Sequence, residues 1–265
     1  MQSNIHATAV IGKSAVLGEG VTVGPFTVIE EDVEIGDGTT IWPHVHIASG
    51  ARIGRACKIH SGAVLANEPQ DLKFSGEKTW LYVGDRTVIR ECVTLNRGTK
   101  ASGKTVIGSD NLFMAYSHVG HDCVIGNHVV VANGVPFGGH CEVGDHVVVG
   151  GLAAVHQFVR IGRFSMVGGL SRGTLDVPPF VMASGSDSCR YEGLNAIGLK
   201  RRGFTSEKIT LIKDAYRIIF QSGLLLVNAL EKVKSELPQE EEIIEILNFF
   251  ASGLHGRKFI KPFKN

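Results

Sequence analysis

The sequence predicts a mainly β domain of stacked six-residue repeats followed by an α-helical C-terminal domain. Three observations predict it: a large apolar residue at nearly every sixth position from Ile11 to Val167, polar interruptions of that period at 66–82 and 97–104, and helical spacing after about residue 187. The expected division is 1–187 for the repeats and 188–265 for the helices.

The period is read by stepping from Ile11. Every sixth residue through Leu65 is aliphatic; the step then meets Asp71 and Glu77, resumes at Val83, passes Ala101, and runs from Ile107 to Val167 on aliphatic residues or Phe. Glycine often follows the aliphatic residue, as at Gly12, Gly18, Gly24, Gly126 and Gly144, which reads as a turn needing positive φ. Small or β-branched residues such as Thr27, Cys57, Cys123 and Cys141 stand two positions before the next aliphatic residue. Six residues bury nothing alone and match neither helical spacing nor simple alternation, so the repeats must stack. The pattern resembles the hexapeptide-repeat family. That resemblance implies a left-handed parallel β-helix with three faces, about 18 residues per coil and coils ~4.8 Å apart.

The two interruptions read as loops leaving the prism, the usual place for function on a rigid scaffold. Beyond them, Ser206, Glu207 and Lys208 open a helical pattern through Ile212, Ala215, Tyr216 and Ile219, and Pro238 with the glutamates after it marks another helix start.

Composition narrows the function classes. With 43% hydrophobic and 20% charged residues, the 265-residue chain is expected to be globular. A net charge of +1 gives no bulk reason to bind nucleic acid. The start, MQSNIHATAVIGK, lacks a basic region before an apolar stretch, and no window approaches the ~18 apolar residues that cross a bilayer. Five scattered cysteines, with no C-x-x-C pair, suit a reducing cytoplasm better than a disulfide framework.

Stacking at n and n+18 turns spacing into neighbourhood. His121, Gly139 and Gln157 form one column, Asp122 and His140 the next, and Gly120, Gly138 and His156 a third; His118 is expected at the corner entering this face. Four histidines thus gather within roughly 10 Å of axis. A neutral imidazole is the readiest general base near pH 7, and Asp122 could orient it if the backbone kinks, because neighbours on a flat strand point apart. Gly139 leaves room for a carbonyl and offers its N–H to an oxyanion. This constellation points to acyl transfer. Its rival is zinc chemistry, because three imidazoles can hold the metal and leave a site for water. The β-helical carbonic anhydrases do so with nearby ligands five apart, whereas His118 and His121 are three apart, so no metal is expected. His128 and His146 also stack, on a neighbouring face, and read as structural.

QDLK at 70–73, SHVGHDC at 117–123, GGH at 138–140, AVHQF at 154–158, DVPP at 176–179 and GLNAIGLKRRGF at 193–204 together resemble the UDP-N-acetylglucosamine O-acyltransferases that begin lipid A synthesis. The resemblance implies transfer of an (R)-3-hydroxyacyl chain from acyl carrier protein to the sugar 3-position, by a homotrimer with clefts between subunits, in the cytoplasm, without a cofactor or stable membrane insertion. It makes His121 the general base, Asp122 its partner and the Gly139 N–H the oxyanion donor. Gln70, Asp71, Lys73, His118, His140, His156 and Gln157 would shape the cleft and hold substrate. Asn195, Arg201 and Arg202 would bind the nucleotide, and Gly169 would set acyl length. Asn96 stands where familiar members have His, and Ile197 where many have Glu. Some members take a 3-amino UDP-sugar and form an amide, which leaves that acceptor open beside the 3-hydroxyl.

Overall fold

The computed structural model describes residues 3–253 and 256–262. Its first part is a left-handed parallel β-helix. Short strands, most of two residues, stack into three sheets of 11, 9 and 8 strands, and each strand lies beside its equivalent in the next coil. Thus Leu112 pairs with Val130 and Val130 with Val148, an advance of 18 residues. Across the excursions the advance lengthens: Val64 pairs with Thr94, 30 residues on, and Thr94 with His118, 24 on. Strands Val64–Asn67, Trp80–Val83 and Lys104–Ile107 trim the excursions to 68–79 and 97–103. Tyr82, for example, pairs with both Arg52 and Val106, so the ends of the expected loops are ladder residues.

The periodic residues point inward. Ile41, Ile59, Ile89, Phe113, Ile125, Val149 and their equivalents are buried, each contributing about 1.5–3 kcal/mol. The small residues two positions earlier are buried too and have a second task. Thr27 Oγ1 donates to Trp42 O, Thr39 Oγ1 to Gly54 O, and Cys57 Sγ to Gly84 O. Cys123 Sγ donates to Gly138 O and Cys141 Sγ to His156 O. Each supplies a corner carbonyl of the next coil with the donor that a buried acceptor requires.

The glycines after the aliphatic residues are not the positive-φ positions. Those lie two residues later and are mostly not glycine: Phe26, His44, Asp122, His128, His140 and His146 all have φ near +60°. The glycines answer instead to coil spacing. A Cβ at Gly144 would sit 2.6 Å from Arg163 N and 2.9 Å from its Cα. Gly144→Ala is therefore expected to destabilise the protein by about 1–3 kcal/mol, read as a fall in the thermal unfolding midpoint. An unchanged midpoint would show that the coils can spread to admit a methyl group.

Corner side chains stack along the axis. His128 and His146 lie with ring centroids 4.7 Å apart and planes 3° apart, and Phe164 continues the column at 4.7 Å from His146. The strand Arg190–Leu194 pairs antiparallel with Val181–Ser184, so the sheet runs past the expected boundary at 187. Helices α1 (Ala196–Arg201), α2 (Ser206–Gln221), α3 (Leu226–Glu236) and α4 (Glu241–Ala251) follow. The Thr205 hydroxyl caps α2 by accepting from Lys208 N. Ile212, Tyr216, Val233, Ile246 and Phe250 join one core with the prism, and Tyr216 donates its hydroxyl to Pro179 O at 2.7 Å.

Candidate active site

Both excursions leave the prism at the corner that carries Asp122, His140 and Phe158. Asp122 occupies that corner with φ +60°, and this backbone bend allows two consecutive side chains to meet. His121 Nδ1 and Asp122 Oδ2 are 2.7 Å apart. His118 is not at the corner: it lies in strand His118–Val119, where its Nδ1 meets Thr94 Oγ1 at 2.7 Å. Burial, against a smaller opposing effect of a hydrogen bond with the Thr94 backbone, lowers the His118 pKa, which favours the uncharged ring.

The Asp122 carboxylate is fully buried yet heavily hydrogen-bonded. Thr99 N and Thr99 Oγ1 donate to it, the latter at 2.7 Å, and Ser102 donates through both its N–H and its hydroxyl. Burial is the largest single influence on this group and pushes its pKa up, but the hydrogen bonds from Ser102, His121 and Thr99 together outweigh it and lower the pKa. Asp122 is therefore an anion that orients His121 and leaves Nε2 as the free ring nitrogen.

That ring lies against Gly139. A Cβ there would meet His121 Nε2 at 2.7 Å and Cε1 at 2.6 Å, so only glycine leaves the imidazole its place. The same substitution frees an N–H. On another corner, residues in equivalent positions take up the N–H of the coil below: Asp85 accepts from Arg55 N, Ser109 from Asp85 N, Asn127 from Ser109 N and Asp145 from Asn127 N. Gly139 cannot do this for His121. Among the described residues, no group of the chain accepts the N–H of Gly139 itself.

A cavity of about 390 Å³ opens here, lined by His121, Gly138 and Gly139, with Gln70, Asn96, His118, His156 and Gln157 around them. His140 stands beside it, edge-on to His121 with ring centroids 5.1 Å apart and stacked on Phe158 at 4.6 Å. A larger groove of about 960 Å³ passes Asp122 and His140 toward α4. Much of its charge is already paired, Arg160 with Asp176 and Arg163 with Glu241 and Glu245.

The other expected site residues lie apart. Asp71 and Lys73 share a turn of the 68–79 excursion, where Lys73 N donates to Asp71 Oδ1; neither lines the cavity. Asn195 is buried as the cap of α1: its Oδ1 accepts from Gly198 N and its Nδ2 donates to Phe164 O. The expected nucleotide contact by Asn195 thus meets a side chain already committed at both ends. Arg201 and Arg202 are exposed at the other end of α1, and Ile197 is exposed within it. Gly169 belongs to a different corner, above Gly151. Asn96, where the resemblance led to His, is buried and donates to Glu68 O at 2.9 Å, tying the first excursion to the sheet.

Sequence reasoning missed Thr94, Thr99 and Ser102. Each meets its histidine or aspartate across an excursion, 20–24 residues away, where counting by 18 fails.

His121, Asp122 and His140 also bring potential metal-binding atoms within 4.8 Å of one another. The 2.7 Å between His121 Nδ1 and Asp122 Oδ2 is a hydrogen-bond distance. Two ligands on one tetrahedral zinc, each about 2.0–2.1 Å from the metal, would stand roughly 3.3 Å apart.

A left-handed hexapeptide prism bearing an Asp-oriented histidine beside an unclaimed glycine N–H defines a hexapeptide-repeat acyltransferase. Residues 32–67 and 104–135 match the bacterial transferase hexapeptide model, and 176–258 match that of UDP-N-acetylglucosamine O-acyltransferase, domain 2. The chain is 75% identical to the acyl-(acyl-carrier-protein)–UDP-N-acetylglucosamine O-acyltransferase of Chlorobaculum tepidum, over 99% of each chain. It is 74% identical to that of Chlorobaculum parvum, over 99% of this chain and all of the relative. Among solved structures, LpxA from Acinetobacter baumannii superposes with a TM-score of 0.93 at 40% identity, covering 97% of this chain and 99% of that one. The chain belongs to the UDP-N-acetylglucosamine O-acyltransferase family.

Proposed function

We propose that this enzyme transfers an (R)-3-hydroxyacyl chain from acyl carrier protein to the 3-hydroxyl of UDP-N-acetylglucosamine, the first step of lipid A biosynthesis. The observation that carries the mechanism is the His121–Asp122 contact at 2.7 Å, which leaves Nε2 of the ring free against Gly139. His121 Nε2 takes the proton of the sugar hydroxyl as its oxygen attacks the thioester carbonyl carbon. The tetrahedral oxyanion accepts a hydrogen bond from the Gly139 N–H. Its collapse breaks the carbon–sulfur bond, and the imidazolium gives the proton to the departing phosphopantetheine thiolate, which leaves as the thiol. Asp122 stabilises the imidazolium and holds the ring, and no metal takes part.

Gln70, His118, His156 and Gln157 line the cavity and contact the acceptor, with His140 at its edge. Asp71 and Lys73 lie on the same excursion as Gln70, where they shape the edge of the cleft and help hold the substrate. Gly169, Arg201 and Arg202 sit away from the cavity beside His121 in one chain, so they serve a site only if a second copy brings them to it. A homotrimer does this. Tyr116, Leu152 and Leu170 are all more than 60% exposed and offer that copy an apolar edge. No helix among the described residues is long and apolar enough to cross a membrane. The five cysteines are free thiols, in keeping with a cytoplasmic enzyme.

The test offers purified protein one (R)-3-hydroxyacyl carrier protein with UDP-N-acetylglucosamine or its 3-amino analogue, with and without a chelator. The ester is expected as the main product, undiminished by chelation. Preferred amide formation would move the acceptor to the amino sugar, and loss of turnover on chelation would replace the base mechanism with a metal-dependent one.

A further inference from the structure

The six residues that lengthen the coil between Thr94 and His118 do more than tolerate a surface insertion. The segment 97–103 folds back onto its own corner, and Thr99 and Ser102 direct two backbone N–H groups and two hydroxyls at the Asp122 carboxylate. Both carboxylate oxygens are engaged: Ser102 Oγ meets Oδ1, while Thr99 Oγ1 and His121 Nδ1 meet Oδ2. From below, Thr105 Oγ1 accepts from Asp122 N at 2.8 Å, which fixes the corner backbone itself. The segment is anchored in turn to the other excursion, because Glu77 Oε1 accepts from Lys100 N at 3.0 Å. Hydrogen bonds from the backbone, that of Ser75 N–H foremost, hold the Glu77 carboxyl down to about 2, so this anchor stays ionised across the working pH range.

We infer that the 97–103 excursion is a cradle for the catalytic carboxylate, and that Thr99 and Ser102 are positioning residues that act through Asp122 on His121. A buried carboxylate with His121 as its sole partner would be free to rotate and would place more charge on the ring. With donors on both oxygens, rotation is blocked and the charge is shared among neutral groups. Asp122 then aims the imidazole while exerting a moderated pull on its proton. The titratable groups packed around the pair are His118 on the preceding strand, and His140 one coil up, whose Nε2 stands 3.8 Å from Asp122 Oδ2. Neither is held by Thr99 or Ser102, so changes in the cradle reach the base only through Asp122.

This inference rests on the proposed acyl transfer and is tested within it. Ser102→Ala removes one hydroxyl from an exposed loop residue, and Thr99→Val removes another while keeping the shape of the side chain. With a donor gone, Asp122 stabilises the imidazolium more strongly. The acid limb of the kcat–pH profile is then expected to move up by roughly half a pH unit, with kcat falling about tenfold and KM for the UDP-sugar changing little. Ser102→Thr, which keeps a hydroxyl, returns the limb toward its wild-type position. If both deletion variants give profiles superimposable on wild type and lose only thermal stability, the excursion is a structural brace and the inference fails. If wild-type protein transfers no acyl group at any pH, the failure belongs to the proposed reaction and not to the cradle.

Discussion

His121→Ala is expected to lower kcat about a thousandfold, within the range by which a positioned base accelerates proton transfer. The ring lies on a corner, outside the apolar interior, so its loss leaves the stacked aliphatic residues and both excursions in place. Asp122 keeps its donors from Thr99 and Ser102, so the buried carboxylate is not stranded. The N–H of Gly139 also remains, and the residual rate measures what that donor and substrate binding achieve without a base. KM for UDP-N-acetylglucosamine should change by only a few-fold, because the base acts as the proton leaves and not on binding. Steady-state rates with saturating acyl carrier protein check this. Removing the ring vacates the space beside Gly139, so added imidazole should restore part of the rate. Normal turnover by the variant would remove His121 from the chemistry and return the histidine face to a structural role.

The meeting of His121 with Gly139 was legible in the sequence for a specific reason. From Lys104 to Gly173 each coil advances by 18 residues, so arithmetic places Gly139 and Gln157 directly above His121. The six-residue period, which only stacking can satisfy, carried the fold. What arithmetic could not supply is backbone conformation. Sequence reading gave the positive φ to the glycines after the aliphatic residues, whereas it lies two residues further on, at positions including Asp122. That is why the His121–Asp122 contact stayed open until the corner was seen. The partners across the excursions were hidden by a second cause: Thr94 reaches His118 and Thr99 reaches Asp122 only after the coil has absorbed extra residues whose number the period does not state. The resemblance supplied Gly169, Arg201 and Arg202, and no feature of one chain draws them to His121. Their distance from the cavity is the gap that the proposed homotrimer would close.

The largest effect on stability is expected at Arg160, where the helical domain is fastened to the prism. Its Nε donates to Asp176 Oδ2 at 2.8 Å, its Nη1 to Ser252 Oγ at 2.6 Å and its Nη2 to Phe249 O, with the guanidinium 4.5 Å from the Phe249 ring centroid. Arg160 and Asp176 are both buried, at 8% and 4% exposure, so removing one partner leaves the other charge away from water. Arg160→Ala is therefore expected to cost about 3–5 kcal/mol. At about 2–4 °C per kcal/mol for a chain of this size, calorimetry should show the unfolding midpoint fall by roughly 6–20 °C. The lower half of that range is favoured, because Arg257 Nη1 lies 3.4 Å from Asp176 and shares the load. Replacing both partners with apolar residues of similar size, Arg160→Met with Asp176→Leu, should recover most of the loss, since it removes the stranded charge along with the pair. An Arg160→Ala protein as stable as wild type would mean that the remaining contacts, among them the packing of Tyr216 and Phe250 and the pairing of Arg163 with Glu241 and Glu245, hold the helices without it.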